Sequence, residues 1–183
     1  MPIEVPLHPA KHLLPLFCNP LIVKKILIIG PPGAGKSIFA KKLAAKSGLP
    51  LYHLDRIWHR PDRTTIGPEA FDREIDAIMS GDAWILDGDY PRTLERRLQQ
   101  CDTVFFFDFP PEICLSGARN RLGKQREDFP WYDNVPDEKL ERRIFNYPTE
   151  RRPVVNRLLS QISGTVICFS SREQAEEYII KDI

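Results

Sequence analysis

The run Ile26-Leu27-Ile28-Ile29-Gly30-Pro31-Pro32-Gly33-Ala34-Gly35-Lys36-Ser37-Ile38-Phe39-Ala40 constrains the chain more than any other stretch. Four aliphatic residues in succession read as a buried strand and the segment from Ile38 as a helix ending near Ser47-Gly48 with glycine as its cap, so a glycine-rich loop joins strand to helix. Such a loop is a phosphate cradle. Its glycines let backbone N–H groups converge on an anion, and the helix that follows aims its positive N-terminal end at the same point. Gly30, Gly33, Ala34 and Gly35 are therefore candidate nucleotide-binding positions, Lys36 supplies a mobile charge for β- and γ-phosphates, and Ser37 supplies a hydroxyl for Mg²⁺. The competing reading is a turn that merely links strand to helix.

The 183 residues suit one domain, or one domain with a small insertion. With 26 Lys and Arg against 25 Asp and Glu, the formal charge of +1 argues against a chain whose main task is neutralising nucleic-acid phosphates. Small anionic ligands are the better expectation. Cys18, Cys101, Cys114 and Cys168 are widely spaced and form no CxxC pair, and three of them lie in or beside apolar segments. This reads as reduced, semi-buried packing cysteines in a cytosolic protein. No run approaches a membrane span. Residues 1–24 form a proline-rich arm without a signal-peptide pattern, and His8 and His12 sit among helix-breaking prolines, which disfavours a metal site there.

Further along, Leu49 to Leu54 reads as a second short strand ending in Asp55-Arg56, and Pro68 to Met79 as a helix with Phe71, Ile75 and Ile78 on one face. Ala83 to Leu86 is a third strand, ending in Asp87-Gly88-Asp89-Tyr90-Pro91-Arg92. An aspartate there suits the Mg²⁺ shell, and either Asp87 or Asp89 is also placed to cap a helix over 93–100. Asp102 to Asp108 is a fourth strand whose phenylalanines belong in a core, and Asp108 ends it as a second candidate acid or a loop residue. His53 reads as a packed or hydrogen-bonded residue. A helix then runs from Pro110 to Leu122.

From Arg119 the composition turns basic, with Arg119, Arg121, Lys124 and Arg126, then Phe129-Pro130-Trp131-Tyr132, and a second basic helix carrying Arg142-Arg143. This predicts a lid over about 119–147 that closes arginines on phosphate. Arg151 and Arg152 lie near the start of a helix over 148–163, where cations oppose the helix dipole and hint at an anionic partner. Gly164 to Phe169 is a fifth strand, and Ser170-Ser171-Arg172 opens the last helix. Five alternations of strand and helix signify a parallel sheet covered on both faces.

On Ile28 to Ser37, Leu51 to Arg56, Trp84 to Tyr90, Arg92-Thr93-Leu94 and Phe107 to Pro110, the chain from Lys25 onward resembles the DNA topology modulation protein family, P-loop kinases related to adenylate kinase. The resemblance implies a P-loop NTPase three-layer α/β sandwich, a five-stranded parallel sheet in the order 2-3-1-4-5, binding of ATP and Mg²⁺, and γ-phosphoryl transfer to a nucleoside monophosphate or small metabolite. It implies Arg119 and Arg121 as lid arginines; with Lys36 and, from its place at the end of the second strand, Asp55 they are the candidate catalytic residues, and Arg119 and Arg172 are candidates on the nucleotide. Asp55, Arg56, Asp87, Arg92 and Arg143 would meet the acceptor, with Asp55 orienting or deprotonating a hydroxyl or only positioning a monophosphate, and Ser37 and Asp87 would hold the metal. Asp89-Tyr90 departs from the Gly-Phe-Pro continuation of adenylate kinases. The alternative from another class is an ATP-dependent regulatory protein that affects DNA topology indirectly, with little turnover and the proline-rich arm as its contact surface.

Overall fold

The computed structural model describes residues 23–132 and 134–181, so the expectations for most of the arm, including His8, His12 and Cys18, lie outside the described residues. The five strands are β1 (Lys25–Ile29), β2 (Leu51–His53), β3 (Trp84–Asp87), β4 (Thr103–Phe107) and β5 (Thr165–Phe169), all parallel in the order β2-β3-β1-β4-β5. That is the expected topology. β1 lies at the centre, and the register Ile28↔Asp87 puts the end of β3 beside the strand that feeds the phosphate loop.

Alternate β1 residues serve opposite faces, as the two-residue pleat requires. Ile26 and Ile28 pack with Phe39, Ala40 and Leu43 of α1 (Lys36–Ser47), while Leu27 and Ile29 join the core on the other face. Phe39 meets Phe105, Phe107 and Phe169 at centroid separations of 4.9, 5.3 and 5.4 Å. The phenylalanine run is thus core. Gly48 closes α1 in the left-handed conformation at φ 71°, its N–H donating to the Ala44 carbonyl.

Several elements depart from the sequence expectation. β2 is shorter, and Leu54–Trp58 turns into a helix, α2, that carries Asp55 and Arg56. After α3 (Pro68–Met79), whose third inward residue is Met79 with Ile78 only half-buried, comes α4 (Pro91–Leu98). No aspartate side chain caps α4, because Asp87 and Asp89 take other partners: Nδ1 of His53 lies 2.8 Å from Asp87, and Nε of Arg151 lies 2.9 Å from Asp89. α5 (Pro111–Arg119) and α6 (Glu138–Asn146) flank the basic excursion, and a π-helical turn over Tyr147–Arg151 precedes α7 (Arg152–Leu159).

The wide turn explains Arg151 and Arg152: their anionic partners are Asp89 and Asp108, within the chain itself. Cys114 is buried and Cys101 half-buried, but Cys168 is exposed, since β5 is an edge strand whose alternate residues face outward. α8 (Arg172–Lys181) completes the face shared with α1. Among the described residues no helix is long and apolar enough to cross a membrane.

Candidate active site at the phosphate loop

The loop between β1 and α1 is tight because α5 presses on it. A Cβ at Gly33, where φ is +82°, would sit 2.0 Å from the Cys114 carbonyl oxygen, and one at Gly117 would sit 2.1 Å from the Gly33 carbonyl oxygen. Only two glycines allow that approach. Lys36 curls back so that Nζ donates to the Pro31 carbonyl at 2.8 Å, and Arg172 donates from Nη2 to the Gly33 carbonyl at 3.2 Å. Burial pushes the Lys36 ammonium below its ordinary pKa, partly offset by Asp87 and reinforced by the charge of Arg121.

Asp87 is 5% exposed, and its Oδ2 meets His53 while Oδ1 is buried with no hydrogen-bond partner among the described residues. A buried orphan carboxylate oxygen is costly unless something fills it. Together with the Ser37 hydroxyl, this donor set of hard oxygens fits a magnesium ion with its waters. Asp128, also 5% exposed, receives Arg126 in a fork, at 3.1 Å from Nε and 2.7 Å from Nη2, and the Ser37 hydroxyl lies near enough to help lower its pKa. Burial acts to raise its pKa, but those hydrogen bonds and the Arg126 charge outweigh it and hold the carboxyl well below the usual range.

A second group forms around Asp55. The Tyr90 hydroxyl donates to Asp55 Oδ1 at 2.8 Å, and Tyr90 itself stands in a strained left-handed conformation at φ 21°. Its loop is clamped by Arg97, fully buried, which donates to the carbonyls of Gly88, Asp89 and Tyr90 and to Thr93 Oγ1. Desolvation pulls the Arg97 pKa down to about 10. Arg143 acts electrostatically on both Tyr90 and His59, which places it on the Asp55 side. Burial pulls the Arg121 pKa down, with the charge of Arg126 adding to the drop and Asp128, Asp55 and Asp87 opposing it, and Arg121 in turn lowers Lys36.

Two expected residues stand elsewhere. Arg92 forks onto Asp72 of α3, and Arg119 forks onto Glu141 of α6, each on an exposed surface. Arg56 lines a cleft of about 480 Å³ with Arg63, Arg126, Phe129, Trp131 and Tyr132. Arg63 lies over the Trp131 ring at 5.5 Å and Arg126 over Phe129 at 5.3 Å, while His59 packs on both rings at 4.9 and 5.2 Å. Sequence reasoning passed over Arg97, Tyr90 and Asp128 as site residues. For Arg97 a signal existed, a guanidinium four residues after Thr93 on the inward face of α4; Asp128 had none, because the fold alone brings it to Ser37.

The sheet order and the glycine loop between β1 and α1 define a P-loop NTPase fold. The chain matches none of the established family profiles. It is 32% identical over 161 residues to the adenylate kinase of Mycobacterium ulcerans, covering 72% of this chain and 83% of that one, and 30% identical over 127 residues to that of Mycobacterium tuberculosis, covering 53% and 70%. The chain belongs to the adenylate kinase family. Among solved structures it superposes on the shikimate kinase of Bacteroides thetaiotaomicron at a TM-score of 0.58 with 17% identity, covering 85% of this chain and 94% of that chain. A shikimate kinase from Acinetobacter baumannii in complex with shikimate gives 0.56 with 19% identity, covering 86% and 91%. These two likenesses establish the fold.

Proposed function

We propose that the protein transfers the γ-phosphoryl group of ATP to a small anionic acceptor. The observation that carries this reading is the glycine loop at the head of α1, pressed by α5, with the buried Asp87 beside it at the end of β3; the charge of Arg121 is felt at Lys36 in the same place. Charge that builds up during phosphoryl transfer would meet Arg121 and Lys36 together, with water kept out by the 119–147 segment acting as a lid. ATP would lie along the backbone of Gly30 to Ser37, with Arg172 behind the loop. Ser37 and Asp87 would hold Mg²⁺, which when bound neutralises the β- and γ-phosphate oxygens.

The acceptor would occupy the cleft that begins at Arg56, beside Asp55 on α2. The arginines and aromatic side chains on its walls suit a small frame bearing a carboxylate or phosphate. The adenylate kinase relatives and the structural neighbour in complex with shikimate support that class. If the acceptor offers a hydroxyl, Asp55, with one oxygen held by Tyr90, would use the other to orient or deprotonate it. Leu54-Asp55-Arg56 and Asp87-Gly88-Asp89-Tyr90 support assigning the chain within its family to the DNA topology modulation group.

The test is ADP production from ATP·Mg²⁺ with nucleoside monophosphates and hydroxylated carboxylates as acceptors, and Lys36→Ala as the blank. Acceptor-dependent ADP formation, with Arg121→Ala lowering the rate at least tenfold while ATP affinity holds, is the expected result. The same slow ADP release with every acceptor would overturn the reading in favour of a regulatory ATPase.

A further inference from the structure

We infer that His53 is a positioning residue for the metal site: its imidazole fixes the Asp87 carboxylate so that one oxygen is held by the protein and the other is left for hydrated Mg²⁺. The inference rests on the reading that ATP·Mg²⁺ occupies the phosphate loop. Nδ1 of His53 lies 2.8 Å from Asp87 Oδ2. An ionised carboxylate only accepts, so the imidazole donates from Nδ1 and the carboxylate no longer turns freely about its Cβ–Cγ bond.

The sheet itself sets this contact. His53 is the last residue of β2 and Asp87 the last of β3, and the parallel register sets them side by side, on one face at the ends of the strands. The same ladder places Asp87 beside Ile28 of β1, the strand that feeds the loop. The two side chains are 12% and 5% exposed, so little water competes for the bond. Joining β2 to β3 does not require it, since Leu51 already pairs with Ile85 and Tyr52 with Leu86. As a strand clip it would also be a poor one, because it buries Oδ1 with no hydrogen-bond partner among the described residues, and such an oxygen is costly. That cost is offset when Oδ1 accepts from water bound to a cation, and the orientation imposed by His53 is what leaves Oδ1 free to do so.

Calorimetric titration of ATP into the full chain, with Mg²⁺ and with EDTA, separates this role from a purely structural one. In the wild type Mg²⁺ tightens ATP binding. His53→Phe keeps a ring and loses the donor; it should cut that Mg²⁺-dependent gain about tenfold and leave affinity in EDTA within about twofold. His53→Asn carries its amide nitrogen near the place of Nδ1 and should keep the gain within about threefold of wild type. His53→Gln, whose amide lies one carbon further out, should lose the gain as the phenylalanine variant does, and covers the case in which that variant does not fold. Asp87→Asn should lose the gain, and adding His53→Phe to it should remove no more.

A gain equal to wild type in His53→Phe and His53→Gln would overturn the inference. So would an equal loss in all three His53 variants, which would make the packing of the imidazole, and not its Nδ1 proton, the operative feature. A gain that survives both Ser37→Ala and Asp87→Asn would sink the metal reading itself, and the role of His53 with it. Its loss in those two variants, with the gain intact in His53→Phe, would sink the role of His53 alone.

Discussion

Tyr90 holds a backbone conformation that costs a non-glycine residue about 1–3 kcal/mol, and three contacts hold it there: Arg97 on its carbonyl, Phe71 against its ring at 4.8 Å, and Asp55 under its hydroxyl. Tyr90→Phe keeps the first two. It should lower stability by only about 1 kcal/mol in denaturant titration, yet reduce kcat more than tenfold with ATP affinity within about twofold. Asp128 gives the pH dependence. Its folded pKa lies below the unfolded value of about 3.9, so its contribution is complete above that pH and is lost as pH falls below it. Melting temperature from pH 6 downward should therefore fall more steeply below about pH 4 in the wild type than in Asp128→Asn. At this scale, the residues legible in the sequence were those whose chemistry is local. Lys36 and Ser37 follow a glycine loop, and Asp87 ends a strand; Asp128 and Tyr90 acquire their roles only from partners that the folded chain brings near.

Helix α4 and the π-helical turn show what decides an element's boundaries. Sequence pattern placed α4 two residues late and gave it an aspartate cap, but Asp89 is consumed by Arg151 and the loop before the helix is held by Arg97. β2 passed for a longer strand because Leu54 is apolar; in fact it is the buried first residue of α2. Solvent access separates two ion pairs that look alike in sequence. Arg151 and Asp89 have side chains 17% and 18% exposed, whereas Arg92 is 57% exposed opposite Asp72. Arg151→Ala strands a half-buried carboxylate and should cost about 2–3 kcal/mol in denaturant midpoint at constant m. Arg92→Ala should cost less than about 1 kcal/mol.

For the whole molecule, alternation of strand and helix made a covered parallel sheet legible, while the strand order followed from family resemblance, because local pattern carries no information about neighbours. What sequence pattern could not convey is how closely α5 rides on the phosphate loop. Gly117→Ala would force a Cβ to within 2.1 Å of the Gly33 carbonyl oxygen, so either the helix or the loop must move. We expect it to destabilise the fold by about 2 kcal/mol or more and to weaken ATP binding at least tenfold, seen together by thermal melting and calorimetry. The most direct measurement on the protein as a kinase is the fate of the label from γ-³²P ATP, with Mg²⁺ and the acceptor panel, in wild type and Lys36→Ala. Label recovered on one acceptor in the wild type and absent with Lys36→Ala is the expected result. Label recovered only as inorganic phosphate, at a rate no acceptor alters, would contradict it.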